Sequence, residues 1–138
     1  MSIGIEFRGL KAVLGQLDLF TDEAAVNAAL GKACALVERS AKQKAPKDNG
    51  ELRRSITSKV ENFEGVVYTP LEYAPYVEYG TGLFAEDGGR QTPWAYEDEE
   101  SGEWVYTRGQ KPQPYMRPAL DENRQEIVRI IKEGLVND

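Results

Sequence analysis

Residues 22–46, DEAAVNAALGKACALVERSAKQKAP, decide how the rest of the chain must fold. Val26, Leu30, Ala33, Val37 and Ala41 recur at helical spacing and form one apolar stripe. Thr21 or Asp22 can cap the start, and Asp22 and Glu23 suit the positive end of a helix dipole. Arg39, Lys42 and Lys44 lie towards the negative end, and Pro46 stops the helix. The reading is one long helix from about Asp22 to Lys44. Its stripe is rich in alanine, so a neighbouring element can approach closely.

Towards the N-terminus, Ile3, Ile5 and Phe7 alternate with Gly4, Glu6 and Arg8, the period of a half-buried strand. Leu10, Val13, Leu14 and Leu17 then predict a short helix, which Gly15 weakens. Beyond the long helix, after the turn KDNG, residues 52–69 (LRRSITSKVENFEGVVYT) read as a hairpin. Its strands are about Ser55–Glu61 and Val66–Thr69, joined around Asn62–Gly65.

From Leu71 to Gln113 the pattern breaks into loops. In LEYAPYVEYGTG (71–82), Pro75 can begin and Gly80 end one helical turn, Pro75–Tyr79. An edge strand with Leu71, Tyr73, Val77 and Tyr79 on one face is the alternative. EWVYT (103–107) predicts a further strand, with Trp104 and Tyr106 facing one way and Val105 the other. The acidic run Glu97–Glu100, followed by Ser-Gly, has the composition of an exposed loop tip. Residues 114–138 predict a second long helix, in which Met116, Leu120, Ile127, Ile131 and Leu135 form the stripe. Pro118 falls in or near its first turn, Asp121 and Glu122 sit early, and Arg129 and Lys132 sit late. The implied class is α+β. A small antiparallel sheet carries the long N-terminal-half helix and the C-terminal helix on one face. All 138 residues form one domain, with an irregular segment over about 80–113.

Composition excludes more than it suggests. Histidine is absent, which removes the usual general base and the commonest imidazole metal ligand. The net charge of −6 argues against a general nucleic-acid binder, which needs a concentrated basic face. Cys34 is alone, so no internal disulfide and no cysteine metal cluster forms within one chain, and a small buried thiol is expected there. No apolar stretch approaches the roughly 20 residues needed to cross a bilayer, and MSIGIEFRGL lacks the pattern of a signal peptide, which points to a cytoplasmic protein without membrane contact.

A few constellations could still carry chemistry. Arg39, Lys42, Lys44, Lys47, Arg53 and Arg54 are the one basic concentration, either a solvated face or a contact for an acidic partner. As a nucleic-acid site they lack interleaved aromatics. The acidic run lacks the alternating ligand spacing of a calcium loop. Glu72 and Glu78 could be imagined as acid and base, but structural or interfacial carboxylates are favoured. GTG (80–82) and DGGR (87–90) are not followed by the GKS or GKT of a phosphate loop and read as turns. The tyrosines of 71–82 suit a core margin or a protein interface equally.

Three pieces in order carry a family resemblance: AKQKAPKDNGELRRSI (41–56), YAPYVEYGTG (73–82) and QKPQPYMRPAL (110–120). They resemble the A-P-x-D-x-G-x-L-R-x-S-I, Y-A-x-x-v-E-x-G-T and P-x-P-f-l-r-P-A segments of the tail-component family named for gene product ten of bacteriophage Hong Kong 97. Ala45, Pro46, Asp48, Gly50, Leu52, Arg53, Ser55 and Ile56 match the first, with Asn49 where threonine is frequent. Tyr73, Ala74, Val77, Glu78, Gly80 and Thr81 match the second. Pro112, Pro114, Met116, Arg117, Pro118 and Ala119 match the third, with Tyr115 in place of the usual phenylalanine.

The resemblance implies a non-enzymatic structural protein of a tailed phage or prophage, made in the host bacterial cytoplasm and acting at the virion neck or tail. It implies head-tail joining or tail completion in a homo-oligomeric ring, between connector and tail-tube or tail-terminator proteins, with no cofactor. DNA would be met only by passage through the ring. An isolated subunit can be monomeric, because assembly surfaces are often completed only on docking. Arg53, Tyr76, Glu78, Tyr79 and Arg117 are the expected protein-contact residues. The competing reading is a nucleic-acid-binding module built on the basic cluster from Arg39 to Arg54. A carboxylate hydrolase using Glu78 is a third.

Overall fold

In the computed structural model, which describes residues 3–16, 22–86, 88–89, 94–97 and 101–136, the long helix runs Glu23–Lys44 (α2). Asp22 caps it, its side chain accepting from the Ala24 N–H at 3.2 Å. The alternative cap, Thr21, lies outside the described residues. The helix ends at Ala45, which is extended as a residue before proline must be. The predicted stripe is buried, but so are Ala29, Cys34 and Ser40, so the buried face is broader than one stripe. The reason is that α2 is covered twice, by the sheet and by the C-terminal helices. Its small residues allow this: a Cβ placed on Gly134 would fall 2.5 Å from the Ala29 Cβ, and one on Gly65 2.8 Å from the Cys34 Sγ. Burial, with Glu38 adding to it, pushes the Cys34 thiol up to about 11, so this is the inert core thiol the sequence suggested.

The sheet has the order β1 (Ile3–Phe7), β3 (Glu64–Thr69), β2 (Thr57–Glu61), antiparallel throughout. Glu61 pairs with Glu64, which leaves Asn62 and Phe63 as a two-residue turn, both at positive φ (54° and 66°). This matches the handedness that a tight hairpin demands. Phenylalanine is costly in that conformation, by roughly 1–2 kcal/mol. Two contacts offset the cost. The Phe63 side chain packs on the Leu14, Val26 and Leu30 cluster, and its N–H donates to the Asn27 Oδ1 at 3.1 Å.

The α+β architecture is as expected, with four local differences. Residues Gly50–Ser55 are helical (α3) rather than a turn leading into a strand, because Asn49 Oδ1 caps the Leu52 N–H at 3.1 Å and Leu52 is fully buried. The C-terminal helix is two helices, α5 (Met116–Asp121) and α6 (Arg124–Val136). Asn123 breaks it, donating its side-chain amide to the Ala119 carbonyl at 2.7 Å and to Ser40 Oγ of α2 at 3.1 Å. Asp121 and Glu122 consequently sit at the end of one helix, not early in a long one, and Glu122 pairs with Lys44 at 2.6 Å. Arg129 lies mid-helix, held by Glu126 and by Glu133, so it serves side-chain pairing rather than the helix end. The helix α6 packs chiefly on α2, while α5 also touches β1.

The irregular region contains more order than predicted. The sequence 71–82 takes its helical option, α4 (Ala74–Tyr79), after which α1 (Leu10–Gln16) is the remaining short helix; a 3-10 turn follows α4 at Gly82–Phe84. The strand expected at EWVYT is β5 (Trp104–Thr107), and it has an unforeseen partner, β4 (Trp94–Glu97). Glu97 therefore ends a strand, while Asp98–Glu100 of the expected acidic tip, and Asp87 and Arg90 of the DGGR turn, lie outside the described residues. No helix among the described residues is long and apolar enough to cross a membrane.

Candidate functional site

The polar chemistry of the chain gathers at Glu78, on α4. Pro75 in the first turn and Gly80 at the end confine this helix to six residues, which is enough to aim Glu78 inwards. Its carboxylate is fully buried. One oxygen accepts from the Tyr115 and Met116 N–H groups at 3.0 and 2.7 Å, and the other from the Arg117 N–H at 3.2 Å and Nε at 2.8 Å. Four donors on two oxygens leave no buried lone partner, which is the condition for holding a charge in a dry place.

Arg117 extends the clasp to the surface. Its terminal nitrogens donate to Glu86 at 2.9 and 3.0 Å and to the Glu78 carbonyl at 3.1 Å, and its guanidinium lies 4.6 Å from the Tyr79 ring centre. The hydrogen bonds from Arg117 hold the Glu86 carboxyl below its ordinary range, and Glu86 and Glu78 together hold Arg117 protonated still more firmly than usual. The Tyr115 hydroxyl donates to the Ala74 carbonyl at 3.0 Å; burial, then Glu78, pushes that phenol up.

The first motif joins the second at Tyr73. Its hydroxyl lies 3.0 Å from Asn49 Oδ1 and 3.3 Å from Glu51 Oε1, and burial, with Glu51, raises its pKa. Ser55 Oγ and the fully buried Thr69 Oγ1 stand 2.6 Å apart. The sequence pieces that carried the resemblance are thus bound to one another within a single subunit.

Of the five expected contact residues, Glu78 is turned inwards, its carboxylate buried and occupied by four N–H donors of its own subunit. Tyr79 is half-buried beneath Arg117, which is itself partly exposed. Tyr76, also on α4, is 56% exposed. Arg53 lies elsewhere, donating to the Lys47 carbonyl at 3.2 Å and lining a groove of about 690 Å³ with Glu38, Arg39, Lys42, Gln43 and Lys47. The basic cluster is therefore divided. Lys44 is bound to Glu122, and Arg54 lies beside Gly50, outside the groove. Glu72 is exposed and Glu78 buried, so the two do not form an acid and base pair. Among the described residues, no three His, Cys, Asp or Glu side chains come together to hold a metal ion.

The pairing of β5 with β4 into a hairpin was the largest feature absent from the sequence reading. The hairpin is tied to α4 through the segments at its base: the Thr81 N–H donates to the Gln110 carbonyl at 2.9 Å and the Leu83 N–H to the Arg108 carbonyl at 2.8 Å. Gly82 (φ +61°) lies against the Trp94 ring, where a Cβ would come within 2.8 Å. Trp104 and Tyr106 share a face, as the alternation in EWVYT predicts, and are 71% and 79% exposed. The signal for β4 was the WAYE stretch, whose aromatics at alternate positions match those of WVYT.

The model of the bacteriophage HK97-gp10 tail-component family matches residues 10–80. The chain belongs to this family. Its place is accordingly that of a phage tail component. No curated protein and no solved structure gives a match. Within this HK97-gp10-like chain the matched stretch holds α2, the sheet hairpin and α4 up to Gly80. The third motif and the projecting hairpin follow it, and the Glu78 clasp bridges the two parts.

Proposed function

We propose that this HK97-gp10-like protein is a non-enzymatic assembly subunit that joins head to tail, or completes the tail, as one member of a ring at the virion neck. Its partners in that position are connector and tail-tube or tail-terminator proteins, and DNA passes through the ring without being gripped. Family membership supports the virion role. The observation that carries the non-enzymatic reading is the saturation of Glu78: its carboxylate is fully buried and all four of its hydrogen bonds come from its own subunit, so its oxygens are not presented to a substrate.

Deleting the gene in a producing phage or prophage tests the reading. The expected outcome is filled heads and separate tails in the electron microscope, rejoined when the protein is supplied in trans. Intact, infectious particles lacking the protein would overturn it.

A second reading has one observation in its favour: Arg39, Lys42, Lys47 and Arg53 line a common groove. DNA held there would be retained at low salt and released steeply as salt rises.

A further inference from the structure

Two surfaces of the subunit are unsatisfied in complementary ways. The hairpin β4–β5 consists of two strands paired only with each other, and an isolated two-stranded ribbon is marginal in water. It displays Trp104 and Tyr106 on one side, with the exposed carboxylates of Glu97 and Glu103 at its far end. Such large aromatic exposure marks a contact surface. The groove beside α2 presents the opposite chemistry. Arg39 and Lys47 are exposed there and have no ion pair among the described residues. The one carboxylate in the groove, Glu38, is occupied by Lys42 at 3.3 Å and by the Ser58 hydroxyl at 2.9 Å.

We propose that the hairpin of one copy docks into the cationic groove of a second copy, Glu97 and Glu103 facing Arg39 and Lys47, with Trp104 and Tyr106 covering the guanidinium and ammonium groups. Cations over aromatic faces and carboxylates opposite cations are the two pairings this geometry supplies. The hairpin does not pack substantially on its own α2, so its own groove is not its occupied site. An acidic arm repels nucleic acid and attracts this groove. Because arm and groove are different patches, the contact is head to tail, the type of interface from which a ring is built when the rotation between copies closes. The inference rests on the ring reading above.

Disulfide trapping tests it in purified particles and in concentrated protein. A Glu103→Cys/Lys47→Cys chain should give a ladder of covalent multimers on oxidation, while Glu103→Cys/Lys132→Cys, with the second thiol on α6, should not. Native Cys34 is buried and does not compete. In the companion experiment, Arg39→Glu/Lys47→Glu and Glu97→Lys/Glu103→Lys should each lower particle joining at least tenfold, and the chain carrying all four reversals should recover it. A ring visible at the head-tail junction without the ladder overturns this docking and leaves the joining role standing. Absence of any ring overturns both. An intrachain cross-link, or DNA retention lost with the groove charges and no recovery in the fourfold variant, also overturns the docking.

Discussion

Glu78 and Trp104 stand 26 positions apart in the least regular part of the sequence, yet the molecule treats them oppositely. The carboxylate, which a sequence reader would place at the surface, is wholly buried and bound by four donors, whereas the indole is 71% exposed. Polarity alone therefore does not decide position here. The buried charge is held because the N-terminal amides of α5 and Arg117 are aimed at it, and the exposed ring sits on a two-stranded sheet separate from the one that packs on α2.

If the clasp is structural and the arm is for assembly, mutations in the two regions separate stability from joining. The largest effect is expected from Glu78→Ala, which strands Arg117 and three amides. Chemical denaturation should record a loss of about 3–5 kcal/mol. Next comes Gly82→Ala, where a side chain meets the Trp94 ring at positive φ. A local cost of about 1–3 kcal/mol should raise hydrogen exchange in 94–107 while the α2 amides keep their protection. Equal loosening of α2 would show that arm and core are one unit.

The double change Trp104→Ser/Tyr106→Ser should shift stability by no more than about 0.5 kcal/mol and still abolish particle joining. A large fall in melting temperature would make the arm part of the core and erase the contrast. The smallest effect belongs to Glu86. Its folded-state pKa is lowered below the usual 4.5, so its contribution is present above that pH and is lost as pH falls through the lowered value. Melting temperatures of wild type and Glu86→Gln should differ at neutral pH and converge under acid conditions.

Much of this was legible in the sequence. Periodicity gave α2, β1 and the sheet hairpin because each buries one face against the core, and burial of that kind leaves a repeating trace. The helix α3 and the break at Asn123 escaped because both depend on one asparagine side chain finding a partner, with no change of period. Strand β4 escaped because, at four residues, it is too short to carry a period of its own. The motif that identified the family gave the right chemistry for Glu78 but not its direction. Only the return of 115–117 from far along the chain turns it inwards.

That return has a cost in time. The donors for Glu78 lie 37–39 residues downstream of it. At a synthesis rate of about 5–20 residues per second, roughly 2–8 s pass on the ribosome before the chain contains its own lock. The arm, residues 94–107, is made inside that interval. On the docking proposed above, each nascent subunit thus carries the residues of its contact arm before those of its lock, and closure of the clasp is the step that completes the body behind the arm.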